Sequence, residues 1–318
     1  MPKTRVLRHR GVADGLSLPT DLHERVELVD IPPDTPPRAG LSGDVLYISG
    51  WRATGPALYE TVERSHVRWI HTYGTGMERL DLHRLTRDGR IVTNSSGADG
   101  FAIAEWVLAS LLAFEKRFPE AWSWETPRKP AEPRCVGTLQ GRRVGLLGLG
   151  SIGSSVAALL ACVGASVRAL RRTAAPAPLP NVEMAGSLGE LVRDADHLVL
   201  TAPLTPATAG MIDDSAFHLM RRGVHVVNVA RGGLIDHDAL RRALAQGIVA
   251  RASLDVVSPE RLPLGHWLRA HPRVRLTPHV SFRCPGSDRA HAALFLEHLR
   301  AYLRGEPLAN RVDPDAGY

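Results

Sequence analysis

Arg143-Val-Gly-Leu-Leu-Gly148-Leu-Gly150-Ser151-Ile152-Gly153 decides the fold. A short apolar run, Arg143–Leu147, enters GxGxxG, and an apolar helical pattern, Ser151–Cys162, follows at once. GxGxxG alone is a weak signal; a strand before it and a helix after it give it meaning. Gly148 permits the tight turn, Gly150 lets the backbone approach a pyrophosphate, and Gly153 lets helix and strand pack closely. The helix N-terminus then presents N–H groups to phosphates. The alternative is a glycine-rich turn with no ligand.

Working outward, the chain alternates between strand-like and helix-like segments. Downstream strand candidates are Ser166–Leu170, His197–Leu200, His225–Val229, Val249–Leu254 and Val274–Leu276. Leu188–Arg193, Asp213–Met220 and Asp236–Ala245 read as the helices between them, with Asp236 as N-cap and Gly247 as stop. Counting Arg143–Leu147, six strands with crossovers fill one doubly wound dinucleotide-binding domain. Upstream, Val26–Val29, Val45–Ile48, Val67–Ile70 and Ile91–Val92 are β-branched runs, with Ala57–Arg64 and Glu78–Leu82 helical between them. That pattern implies a second parallel sheet. Phe101–Phe114 is apolar nearly all round and is expected to be buried among other elements. Arg289–Leu303 follows the completed domain, ends at Gly305, and is expected to return to the first domain. The proline-rich stretches 31–37 and 127–133 read as surface connections.

Composition narrows the class. The 318 residues carry 39 Lys+Arg against 33 Asp+Glu, a net charge of +6, and 44% apolar residues. Two globular domains are expected, with no global disorder. Cys135, Cys162 and Cys284 form neither a disulfide framework nor a zinc set, so a reducing, cytoplasmic setting and no metal are expected. No signal peptide and no apolar span long enough for a bilayer is visible. The positive charge has no helix-turn-helix, RNA-binding or zinc signature beside it. Small anionic ligands are therefore favoured over nucleic acid.

The second strand, Ser166–Leu170, ordinarily leads to an acid that holds the ribose 2′-OH. Here Arg171-Arg172-Thr173 follows. Two guanidiniums suit a 2′-phosphate and offer no acceptor to ribose hydroxyls. NADP(H) is expected over NAD(H), which the fold also accommodates; the alternative is a solvated arginine pair. Further polar residues come at strand ends: Arg231 after His225–Val229, Asp255 and Glu260 after Val249–Leu254, and His279 after Val274–Leu276. In an open α/β sheet, ligands sit outside the carboxyl ends of strands.

Asn228-Val-Ala-Arg-Gly-Gly-Leu-Ile-Asp, Leu254-Asp-Val-Val-Ser-Pro-Glu and Thr277-Pro-His-Val-Ser, with the upstream glycine motif, resemble the D-isomer-specific 2-hydroxyacid dehydrogenases. Thr201–Asp213 and Gly305–Val312 fit as well, so the resemblance runs from about Trp69 to Val312. It implies two Rossmann-like and flavodoxin-like domains with doubly wound parallel sheets and the active site in the cleft between them. Residues 1–99 and 284–318 would bind substrate, and residues 100–283 the dinucleotide. A homodimer through the cofactor domain is also implied.

Residue by residue, the resemblance makes Arg231 the group that holds the substrate carboxylate and polarises the 2-oxo group. His279 would be the general acid in reduction and base in oxidation, with Glu260 as its partner. Cofactor contacts would come from Gly148, Gly150, Ser151, Ile152, Gly153, Arg171, Arg172, Thr173, Thr201, Pro203, Thr208, Val229, Ala230 and His279, with Asp255 near the nicotinamide carboxamide. In the first domain, His71–Met77 looks like the substrate loop, with the N–H groups of Thr75 and Gly76 on the carboxylate; a plain strand-to-helix turn is the alternative. Trp51 and Arg52 would also line the pocket. The segment Val92–Gly97, with Glu105 beyond it, matches the crossing into the cofactor domain.

The chain departs from the family at Ser281-Phe282-Arg283-Cys284, where Phe282 or Arg283 would narrow the pocket or meet a second acidic group. Trp122 and Trp124 sit in a divergent loop. The compact length resembles glyoxylate/hydroxypyruvate reductases rather than phosphoglycerate dehydrogenases with extra C-terminal domains. The expectation is an NADP(H)-dependent reductase of glyoxylate, hydroxypyruvate or a bulkier 2-keto acid. Glu260 argues against formate dehydrogenases, which place glutamine there. A dinucleotide-sensing corepressor and phosphite oxidation are the alternatives left open.

Overall fold

The computed structural model describes residues 2–14, 16–35, 40–50, 55–121, 136–172 and 179–318. Trp51, Arg52, Trp122, Trp124, Cys135 and Thr173 lie outside the described residues. Two compact units emerge, one of residues 1–98 and 284–318 and one of residues 99–283.

The first unit runs β1 (Thr4–His9), α1 (Thr20–His23), β2 (Val26–Ile31), β3 (Val45–Ser49), α2 (Pro56–Arg64), β4 (Trp69–Tyr73), α3 (Leu82–Thr86) and β5 (Ile91–Asn94). Its five parallel strands take the order β2-β1-β3-β4-β5, the flavodoxin-like arrangement. Strand alternation gives each face its own core. Leu7, Leu46, Ile48 and Ile70 join one apolar cluster, and Val6, Val45, Tyr47 and Trp69 the other.

The second unit runs α4 (Gly100–Glu115), α5 (Phe118–Ala121), β6 (Arg143–Leu147), α6 (Ser151–Cys162), β7 (Ser166–Leu170), β8 (Val182–Met184), α7 (Leu188–Val192), β9 (His197–Leu200), α8 (Asp214–Leu219), β10 (Val224–Asn228), α9 (His237–Gln246), β11 (Val249–Leu254), α10 (Trp267–Ala270) and β12 (Val274–Leu276). Seven parallel strands take the order β12-β11-β10-β9-β6-β7-β8. Strand order reverses at β6, where β7 and β9 lie on opposite sides; that is the switch point of a Rossmann sheet. Helices α4 and α6 cover one face around Val107, Leu111, Val156 and Leu160. Helices α7, α8 and α9 cover the other around Leu191, Phe217, Leu240 and Leu244. Helix α11 (Ser287–Arg304) then joins the first unit, with Phe295 and Leu299 fully buried beside Val6, Tyr47 and Trp69.

Several sequence expectations need correction. β1 and β8 are additional strands; β8 has three residues, too few to show alternation. The third helix covers Leu82–Thr86 rather than Glu78–Leu82, because the Asp81 carboxylate caps it by accepting from the Arg84 N–H. The strand expected at Val67–Ile70 covers Trp69–Tyr73. Val229 falls just beyond β10. Helix α4 buries one stripe only, Ile103, Ala104, Val107 and Leu111; Phe101 is 62% exposed on the other side. By contrast, Asp236 caps α9 by accepting from the N–H groups of Asp238 and Ala239, and Gly247 ends it at φ 72°.

A buried charge ties α4 to the sheet. Glu115, 5% exposed, accepts from Arg142 Nη2 (3.0 Å) and meets His197 Nε2 (3.1 Å) at the start of β9. Burial alone would raise this carboxyl, but the hydrogen bonds from His197 and Arg142 outweigh it and hold it below the usual glutamate value. A depressed carboxyl contributes stability above its unfolded value and loses it as pH falls through the folded one. Glu115→Ala is expected to cost about 2–3 kcal/mol at neutral pH. In denaturant titrations this difference should shrink below the ordinary carboxylate range; equal stability of variant and wild type at pH 7 would contradict it.

Candidate active site

The glycine turn is built as its spacing requires. Gly148 has φ 102°, and a Cβ there would lie 2.6 Å from the Ala202 nitrogen. A Cβ on Gly153 would lie 2.3 Å from the Gly148 carbonyl oxygen, so any side chain there would force α6 off β6. A Cβ on Gly150 would meet nothing within 4 Å. Gly148 and Gly153 are therefore demanded by packing, whereas Gly150 opens space at the N-terminus of α6. Thr201 Oγ1, just past β9, donates to the Gly148 carbonyl (2.8 Å) and fixes the turn. Ser151 and Ile152 form the first turn of α6. These features fit a dinucleotide pyrophosphate: an open approach, N–H donors and the positive end of a twelve-residue helix.

At the end of β7, Arg171 is half-buried and Arg172 exposed. The adjacent edge strand contributes Glu183, which is held by Arg168 at 3.0 Å. In the 203–208 loop, Thr208 Oγ1 donates to the Pro203 carbonyl (2.7 Å) and accepts from the Thr205 N–H (2.8 Å). Thr208 thus closes the loop that carries Pro203, a structural task that its sequence position did not reveal.

Arg231, Glu260 and His279 follow three neighbouring strands, β10, β11 and β12. Asn228, fully buried at the end of β10, accepts from the Ala230 N–H (3.0 Å) and donates to the Arg231 carbonyl (2.9 Å). It shapes the turn through Val229 and Ala230 that delivers Arg231. The signal for it is an amide directly after Val226 and Val227, at the last position of a buried strand. Next to Arg231, a Cβ on Gly232 would lie 1.9 Å from the Val257 carbonyl carbon, so the loops after β10 and β11 press backbone against backbone. The Arg231 guanidinium donates to the Ala230 carbonyl at 2.7 Å.

Asp255 is 2% exposed. Its Oδ1 accepts from Thr277 Oγ1 (2.5 Å) and the Val280 N–H (3.0 Å), and its Oδ2 from the Ser281 N–H (2.9 Å). Burial pushes this carboxyl up, yet the bonds from Thr277, Ser281 and Val280 prevail and hold it below the usual aspartate value. The His279 N–H also donates to the Asp255 carbonyl (3.0 Å). His279 itself sits at φ 53°, a left-handed conformation costing about 1 kcal/mol in a residue with a Cβ. The Asp255 bonds on either side hold it there. Its Nδ1 lies 2.5 Å from Glu260 Oε1. Phe282 meets the His279 ring edge-on at 5.5 Å, and Arg283 lies over Phe282 at 5.6 Å.

In the first unit, Thr75 and Gly76 follow β4. Among the described residues, none accepts a hydrogen bond from either N–H. A Cβ on Gly50, at the end of β3, would lie 3.1 Å from the Gly76 carbonyl oxygen. No cluster of three metal-ligating side chains occurs among the described residues.

A doubly wound unit with an open glycine turn, and with a paired histidine and an arginine following strands at one side of its sheet, defines a Rossmann-type dinucleotide-binding scaffold. The NAD-binding domain of the D-isomer specific 2-hydroxyacid dehydrogenases matches residues 108–281, and the chain belongs to that family. It is 31% identical over 253 residues to a glyoxylate reductase of Thermofilum pendens, covering 76% of this chain and 73% of that protein. It is 33% identical over 278 residues to a chloroplastic D-3-phosphoglycerate dehydrogenase of Arabidopsis thaliana, covering 85% of this chain and 46% of that one. The chain thus spans about half the length of the curated phosphoglycerate dehydrogenases it matches. A crystal structure of a D-isomer specific 2-hydroxyacid dehydrogenase from Xanthobacter autotrophicus Py2, in complex with NADPH and MES, superposes with a TM-score of 0.78 at 26% identity over the whole of both chains.

Gly232→Ala tests the packing that aims Arg231. It should leave the far-ultraviolet circular dichroism unchanged and lower kcat/KM about 100-fold, the scale of an ångström-sized misplacement. Wild-type turnover would show that this contact does not position Arg231.

Proposed function

We propose that the protein is an NADP(H)-dependent oxidoreductase that interconverts a small 2-oxo acid and its D-2-hydroxy acid. The observation that carries this reading is the Glu260–His279 pair, 2.5 Å apart, which follows the two strands next to the one that leads to Arg231 in a dinucleotide-binding sheet. Residues 99–283 hold the dinucleotide, and residues 1–98 with 284–318 receive the substrate. When bound, the nicotinamide supplies the hydride. Arg231 holds the carboxylate and draws charge from the 2-oxo oxygen. Because Nδ1 of His279 engages Glu260, Nε2 delivers the proton to that oxygen in reduction and removes it in oxidation. From the first unit, the Thr75 and Gly76 N–H groups take the carboxylate. The substrates are small, such as glyoxylate or hydroxypyruvate.

Arg171 and Arg172 support the preference for NADP(H). They stand where a ribose-binding acid would otherwise be, and neither they nor the residues up to Val182 include a carboxylate. We further propose a homodimer through the dinucleotide unit, supported by the apolar side of α4, where Phe101 is 62% exposed. The exposed thiols of Cys162 and Cys284 suit a reducing, cytoplasmic setting. No helix among the described residues is long and apolar enough to cross a membrane.

Turnover of glyoxylate, hydroxypyruvate, 3-phosphohydroxypyruvate and longer 2-oxo acids, with NADPH and NADH in parallel, tests the assignment. NADPH should give at least ten times the kcat/KM of NADH, and a double Arg171→Ala, Arg172→Ala variant should lose that margin. His279→Ala should lower turnover by at least 1000-fold and leave NADPH binding within twofold. No turnover of any acid despite tight NADPH binding would favour a dinucleotide-sensing protein. For the dimer, sedimentation should give twice the chain mass, and Phe101→Glu should yield the monomer; a monomeric wild type would refute it.

A further inference from the structure

Three side chains on one face of β4 meet one stripe of α11, two residues apart on the strand and three or four apart on the helix. Trp69 lies 5.5 Å from Phe295 and 5.3 Å from Tyr302, between ring centroids. His71 lies 5.4 Å from both Phe295 and His298. Tyr73 stacks on His291 at 4.0 Å and 19°, and its hydroxyl donates to the Asp288 carboxylate. The first two rungs are ordinary core. The third differs, because Tyr73 is only half-buried and immediately precedes Gly74.

The loop that starts there is fixed at its entry and open beyond it. The Gly74 carbonyl accepts from the Ser95 N–H (3.2 Å) and from Thr72 Oγ1 (3.2 Å). Gly74 turns at φ 95°. The N–H groups of Thr75 and Gly76 come next, with no acceptor among the described residues. Donors that must bind an anion work best when their direction is set in advance, so that binding does not have to order them. A tyrosine gripped on its ring face and at its hydroxyl holds the Cα from which the loop departs, one residue before the Gly74 carbonyl that Ser95 and Thr72 fix.

We infer that Tyr73, held by Asp288 and His291 of the C-terminal helix, is a positioning residue that presets the Gly74-Thr75-Gly76 loop for the substrate carboxylate. This rests on the reading that the loop binds that carboxylate. The role explains why the chain returns to the first unit after His279: the helix that begins eight residues later supplies the grip. Tyr73→Phe keeps the ring stack and removes the hydroxyl bond; Tyr73→Leu removes both; His291→Phe keeps an aromatic platform.

Two measurements on the full chain test it: steady-state kinetics with glyoxylate and NADPH, and hydrogen–deuterium exchange of the buried Ser95 amide, whose acceptor is the Gly74 carbonyl. Tyr73→Phe should raise KM for glyoxylate about fivefold and Tyr73→Leu about 50-fold, with kcat and KM for NADPH within twofold. His291→Phe should stay within twofold of wild type throughout. Exchange of the Ser95 amide should quicken about tenfold in Tyr73→Leu while α11 exchanges as in wild type. Unchanged exchange at Ser95, or a KM for glyoxylate within twofold in Tyr73→Leu, overturns the inference. Faster Ser95 exchange in a protein whose wild type reduces no 2-oxo acid supports the grip and contradicts the function it serves.

Discussion

One buried carboxylate organises the strand ends that carry Arg231 and His279. Asp255 directly follows β11, the strand between those that lead to Arg231 and His279, and its side chain and carbonyl together accept four hydrogen bonds from residues 277–281. An ionised carboxylate with so little water around it is tolerable only when its lone pairs are filled. Here they are filled by the loop that carries His279. The cost of burying the charge and the strain of a left-handed histidine are offset by the same bonds. The Asp255 N–H in turn donates to the Asn228 carbonyl (3.0 Å), so the ends of β10, β11 and β12 are linked through one residue.

The family resemblance implies a place for Asp255 near the nicotinamide carboxamide. Three donors from its own chain already occupy the carboxylate, which gives it a positioning task whether or not a ligand adds to it. Glycine does comparable work next to Arg231. Gly232 allows two loop backbones to touch, at Val257 of the loop after the neighbouring strand. Both cases show a limit of reading motifs. A motif marks that a residue type is needed, while the partner that needs it comes from a distant strand.

The parallel sheet of the second unit was legible because its strands are apolar runs separated by helices with caps, from Asp236 to Gly247. The ends of Ser151–Cys162 were legible for the same reason, being set by local glycine chemistry. The first unit was harder. β1 carries Arg5, Arg8 and His9 among its six residues, which hides its apolar pattern; in the fold Arg8 bonds Asp30 (2.7 Å) on the neighbouring strand. Helix α4 read as buried all round because composition cannot tell a core helix from one with a second apolar face. The grip of Asp288 and His291 on Tyr73 joins residues more than 200 positions apart, and no local pattern announces it.

The central claim is that these residues direct a hydride to the 2-carbon of an oxo acid. It is tested most directly by reducing glyoxylate with NADPH fully deuterated at the nicotinamide C4 position and examining the glycolate by proton NMR after esterification with a chiral acid, which makes its two C2 hydrogens inequivalent. The account predicts one deuterium on C2, on a single prochiral face, and loss of transfer in His279→Ala. Glycolate without deuterium at C2, or label on both faces equally, would contradict it.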